Sequence, residues 1–114
     1  MPPGPGREQP GTSQGRPRTA FARALQTGNL VVAEGLAREL GRISLADALE
    51  MTILIARKEP RRLPRVAVRW LERYLQECEP GLPDVALAVS ALSALTAEQP
   101  TEAVRVLRSL AGSF

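Results

Sequence analysis

The sequence predicts an all-α protein of about six helices, paired as three antiparallel hairpins that form either an α-solenoid or a compact helical bundle. Apolar residues recur at spacings of three, four and seven, the period of a helix face. Ala and Leu carry the packing, while aromatics make up only 4% of the chain. No run of β-branched residues alternates with polar ones, the pattern a half-buried strand would need. The clearest stretch is 65–78. There Ala67, Trp70, Leu71, Tyr74, Leu75 and Cys78 share one stripe, with Arg65, Arg69, Glu72, Arg73 and Gln76 opposite.

Residues 1–18 are Pro-, Gly- and Arg-rich and, Met1 and the prolines aside, carry no aliphatic side chain. They have little to offset an ordering cost of about 1–2 kcal/mol per residue, so a disordered arm is expected. A single α-helical domain is expected over 19–114. Its first helix is placed at Ala20 to Thr27, with Thr19 as cap, Phe21, Ala24 and Leu25 inward, and Gly28-Asn29 as the stop. The second runs from Leu30 to Leu40, with Ala33, Leu36, Ala37 and Leu40 on one face. Gly41, free to take positive φ, ends it.

Ser44 is a cap for the third helix, Leu45 to about Lys58. Asp47 stands where the acidic partner of a capping box belongs. Leu45, Ala48, Leu49, Thr52, Ile53 and Ala56 form one face, and Met51, Leu54 and Ile55 carry apolar surface well around the cylinder, so neighbours must cover most sides. Pro60 and Pro64 bracket the next turn, Pro64 at a tolerated first-turn position. The fourth helix ends at Glu79-Pro80-Gly81. The fifth, Pro83 to about Ala97, is apolar except for Ser90 and Ser93, and is expected to be central. Should one of its faces lie open, that face is a binding site or a dimer seam. The sixth, Thr101 to Leu110, turns Ala103, Val106, Leu107 and Leu110 inward, and Phe114 either folds back or frays.

The even-numbered helices share a register. Ala33, Leu36, Ala37 and Leu40 align with Ala67, Trp70, Leu71 and Tyr74, then with Ala103, Val106, Leu107 and Leu110, at offsets of 34 and 36 residues. Such periods mark helical-hairpin repeats. Gly28 to Ala37 and Pro100 to Leu107 resemble the turn and second helix of a tetratricopeptide-like array, which the chain matches over roughly 20–110. The family's glycine and tyrosine in the first helix and its closing proline pattern are missing, which leaves HEAT-like stacking or a plain bundle open. The chain is also similar in look to small Arg-rich helical proteins common in actinobacterial genomes. The repeat resemblance implies peptide or protein binding.

Net charge is +3 with a pI of about 10.0. Residues 1–18 supply +2 of it, so the remainder is nearly balanced. Charge is nonetheless segregated. Arg57, Lys58, Arg61, Arg62, Arg65, Arg69 and Arg73 stand against Glu59 and Glu72, a local +5. Arg65, Arg69 and Arg73, four apart, form a ridge on the outer face of the fourth helix. These seven cations are the candidate interaction surface, for an acidic protein face or for phosphates. The plainer account is a solvated face, with Glu72 and Glu77 pairing to Arg69 and Arg73.

Catalytic equipment is absent from the sequence. It has no histidine, no Cys/His cluster with zinc spacing and no Walker-type phosphate loop. Cys78, Trp70 and Tyr74 fall on a core stripe and are expected to pack, not react. No catalytic, cofactor-binding or metal residue is assigned, and no cofactor or small molecule is expected. One cysteine excludes an internal disulfide, and no apolar run reaches the roughly 20 residues of a membrane span. The expectation is a cytoplasmic, non-catalytic interaction module that binds a protein partner or itself. The alternative is a nucleic-acid accessory protein making non-specific phosphate contacts through the ridge and the arm.

Overall fold

The computed structural model describes residues 9–112, and its regular structure there is all helical. Six α-helices follow in order: α1 Gln9–Thr27, α2 Leu30–Leu40, α3 Leu45–Lys58, α4 Leu63–Cys78, α5 Leu82–Ser93 and α6 Thr101–Ala111, with a 3-10 turn at Pro60–Arg62 before α4. They pair in sequence as three hairpins, α1 with α2, α3 with α4 and α5 with α6. Where one domain was expected over 19–114, the contacts divide the chain between Ile43 and Ser44 into two compact units.

The first unit is the α1–α2 hairpin. α1 begins at Gln9, so the arm expected over 1–18 is helical from that residue on, with Pro17 inside the helix. Residues 1–8 lie outside the described residues. Gly11, Gly15 and Pro17 are poor helix formers, so residue propensity does not explain this extension. The hairpin turn is specified locally. Gly28 takes φ 75°, its N–H donates to Leu25 O at 3.2 Å, and Asn29 N–H donates to Ala24 O at 2.9 Å. These are the two bonds of a Schellman motif. Asn29 then caps α2, its Oδ1 accepting from Val32 N at 3.2 Å. Phe21, Ala24, Leu30 and Ala33 are buried. α2 ends at Gly41, whose φ of 86° and ψ of −76°, with Arg42 N–H donating to Leu40 O at 3.1 Å, make a γ-turn of the hand that strains an L side chain.

In the second unit α3 leads. Ser44 Oγ accepts from Asp47 N at 3.0 Å, the cap that the sequence signals. Six consecutive residues from Met51 to Ala56 are buried, as the apolar surface around this helix requires. The hydroxyl of buried Thr52 donates to Ala48 O at 2.9 Å, so its burial leaves no unmet bond. α3 packs on α4 and on α6, α6 on α5, and α5 on α4, so the four helices close as a bundle. Arg108 of α6 ties to Glu50 of α3 through two bonds of 2.9 Å. That bidentate pair is half exposed and contributes about 0–1 kcal/mol, fixing register more than stability.

Trp70 and Tyr74 form the centre. Each is 2% exposed. Their rings stack with centroids 5.3 Å apart and planes within 9°. The indole Nε1–H donates to Leu45 O at 3.0 Å, joining α4 to the start of α3. Leu49, Leu63, Leu92 and Leu107 pack around this pair in one cluster.

Candidate interaction surface

The seven ridge cations occupy three successive pieces of chain. Arg57 and Lys58 are exposed in the last turn of α3, where the helix dipole favours positive charge. Arg61 and Arg62 are exposed on the 3-10 turn. Arg65 and Arg69 are exposed on α4, while Arg73 is half-buried. Two of the seven are held by carboxylates: Arg62 by Glu59 and Arg73 by Glu77, each at 2.8 Å. Among the described residues no ion pair joins Arg57, Lys58, Arg61, Arg65 or Arg69 to a carboxylate. The expected pairing of Glu72 with Arg69 is therefore not made, and that of Glu77 with Arg73 is.

Beside the ridge lies a feature that none of the seven cations lines. α4 and α5 meet less closely than the other neighbouring pairs, and between them opens a groove of about 390 Å³. Pro60, Leu63, Pro64, Ala67, Val68 and Leu71 line one wall; Val89, Leu92, Ser93 and Thr96 line the other. Its floor is apolar because it is the flank of the core stripe on both helices.

α5 is accordingly not the enclosed helix its composition suggested. It buries Ala88, Ala91 and Leu92 and, just past its end, Leu95. Leu82, Leu87 and Val89 face solvent, at 80%, 48% and 44% exposure. A helix apolar on all sides needs covering neighbours on all sides, and this unit supplies them on one. α5 also stops at Ser93, short of the expected Ala97. Its last turn tightens into three-residue bonds, Leu95 N–H to Leu92 O and Ala97 N–H to Ala94 O, which end the α-helical ladder. On α4 the stripe is likewise only half covered. Leu75, expected inward, is 40% exposed, and Val68, two turns before it, is 55% exposed.

A signal for this surface was present in the sequence. Val68 and Leu75 are seven apart, and so are Leu82 and Val89, so each pair makes a second stripe on its helix. Neither stripe fits on the face that carries the core. Helical period alone does not say which of two apolar stripes a neighbour will cover.

The chemistry available here is that of contact. Cys78 is half-buried against the core. Burial, and then the Glu77 carboxylate, push its thiol above the ordinary value, which keeps it protonated and a poor nucleophile at neutral pH. Burial, then Asp84 and Cys78, raise the Tyr74 phenol as well. Among the described residues no three acidic or thiol side chains gather as a metal site, and no helix is long and apolar enough to cross a membrane. Comparison with protein-family models, with curated proteins and with solved structures gives no match for this chain.

Proposed function

We propose that the chain is a non-catalytic interaction module, a small helical scaffold whose α4/α5 face docks a protein partner or another copy of itself. The observation that carries this reading is the apolar groove, lined by exposed Val68 and Val89, with Leu75 and Leu82 exposed two turns further along the same two helices. Leaving four large aliphatic side chains in water along one face forgoes about 25 cal/mol for each Å² that burial would remove from solvent. A partner recovers that free energy. The hairpin register at offsets of 34 and 36 residues supports the reading too, since protein binding is the habit of the tetratricopeptide-like arrays the chain resembles. A lone thiol with no second cysteine to oxidise with suits a reducing compartment, and a cytoplasmic location belongs to this proposal.

The test is retention on an immobilised chain, comparing the natural sequence with a Val68→Glu, Val89→Glu double variant. Both sites are exposed, so the helices should survive. The proposal expects a defined set of retained proteins, this chain included, that the double variant loses. Identical sets on both would contradict it.

A second reading is supported by the exposed cations that no carboxylate holds: the ridge contacts phosphates. It expects duplex or single-stranded DNA to bind with an affinity that falls steeply with salt, through counterion release. The reading also expects the affinity to vanish when Arg65, Arg69 and Arg73 become Glu. Affinity indifferent to that triple change would remove it.

A further inference from the structure

We infer that the arginine stripe on the outer side of α4 binds double-stranded nucleic acid through the phosphates of one strand, in preference to a single strand and without regard to sequence. The inference rests on the phosphate reading above and names the form of nucleic acid.

Helix geometry puts these cations on one line. The 3-10 turn runs into α4 in helical backbone, with Arg62 at φ −81° and ψ −13° and Leu63 at φ −57° and ψ −45°. Arg62, Arg65, Arg69 and Arg73 therefore follow at spacings of three, four and four along a single stripe. Leu63, Trp70 and Tyr74, the buried residues of α4, lie on the other side of the helix. The stripe rises about 16 Å at ~1.5 Å per residue, a length that takes in about five phosphates of one strand. Its two ends are tied within the chain, Arg62 to Glu59 and Arg73 to Glu77. Arg65 and Arg69 between them are exposed, and no ion pair joins them to a carboxylate. Exposed Arg57, Lys58 and Arg61 precede the stripe in the chain and add to the positive potential around it.

The chemistry of the stripe selects its occupant. The exposed side chains along it are Arg62, Arg65 and Arg69, with Glu72 and Gln76 beside them, and none is aliphatic or aromatic. Exposed Val68 lies off the stripe, on the groove wall. A lipid surface would call for an apolar wedge among the cations, and a protein interface for an apolar centre. A phosphate backbone calls for donors alone, and contacts to it carry no sequence information. A single strand must be ordered before it can match a rigid row of cations. Proteins that bind single strands offset that cost by stacking bases on aromatic rings. Here Phe21, Trp70 and Tyr74 are all buried. A duplex arrives with its phosphates already in a fixed array, at about one charge per 1.7 Å of axis.

The experiment is titration of the full chain against a labelled DNA duplex, a duplex of unrelated sequence and one separated strand, at several salt concentrations. The natural chain should bind both duplexes alike and the strand about tenfold more weakly. Log affinity for duplex should fall with log salt at a slope of about −2 to −4. An Arg65→Gln, Arg69→Gln variant keeps good helix formers; it should lose about tenfold or more in affinity, with a slope shallower by about two. Arg38→Gln, exposed on α2, should change affinity by less than about twofold. Circular dichroism checks helix content in each variant. A strand bound as tightly as the duplex, with the double variant weakening both, would overturn the inference and leave the phosphate reading standing. A clear preference between the two duplexes would do the same. Duplex affinity indifferent to the double variant would overturn inference and phosphate reading together. Phosphatidylserine vesicles or polyglutamate bound as tightly as the duplex would also overturn the inference, because the stripe would then accept any anionic surface.

Discussion

Trp70→Ala should unfold the second unit at room temperature or bring it to the edge of unfolding. Removing a buried Trp costs about 3–5 kcal/mol, the lost transfer of the ring plus the void it leaves. Here the ring is 2% exposed and stacked on Tyr74, so its neighbours also lose an aromatic contact of about 0.5–1.5 kcal/mol. A unit of this size rarely holds more than about 3–5 kcal/mol in total. Trp70→Phe separates the two contributions. It keeps most of the apolar contact but removes the indole N–H that donates to Leu45 O, a net loss of about 0.5–1.5 kcal/mol. Urea titration followed by circular dichroism measures both without needing the tryptophan as a probe. An alanine variant that melts with the natural chain would mean that α3 and α4 are not joined through this residue.

Leu107→Ala should come second, at about 2–5 kcal/mol. Leu107 is fully buried on α6, the helix that packs on both α3 and α5 and so closes the bundle. Leu87→Ala is the matched comparison. It deletes the same atoms from a site 48% exposed, and should cost under about 1 kcal/mol. Similar losses at the two positions would mean that α6 does not close the bundle as described.

Much of this architecture was legible because its determinants are local. Ser44 announces α3 by its distance from Asp47 and from the apolar run behind it. Gly28 and Gly41 mark stops because only a residue without Cβ takes those positive φ values cheaply. The stripe through Trp70 and Tyr74 identifies a core face whatever lies across from it. Other features depend on partners distant in sequence, and period cannot report those. Nothing in α6 says that it will pack on α3 as well as on α5. The open face of α5 is not legible in the sequence for the same reason: Leu82, Leu87 and Val89 look like core in a string, and only the number of neighbouring helices shows that they are not.

The charge pattern was half legible. Clustering of Arg57 through Arg73 is plain in the sequence, and six of the seven cations prove exposed. What the string did not reveal is that the groove opens beside them, bounded by Pro60 and Pro64. A composition-based reading assigned weight to the arginines; the geometry shifts it to the aliphatic surface they border.

The most direct test of that shift is methyl NMR on Leu- and Val-labelled protein with a soluble paramagnetic agent, recorded at low and high protein concentration. Val68, Leu75, Leu82 and Val89 should be broadened by the agent when dilute and sheltered from it when concentrated. Leu87, which is exposed on another side of α5, should stay broadened at both. Equal response from all five residues at every concentration would contradict self-association through the α4/α5 face.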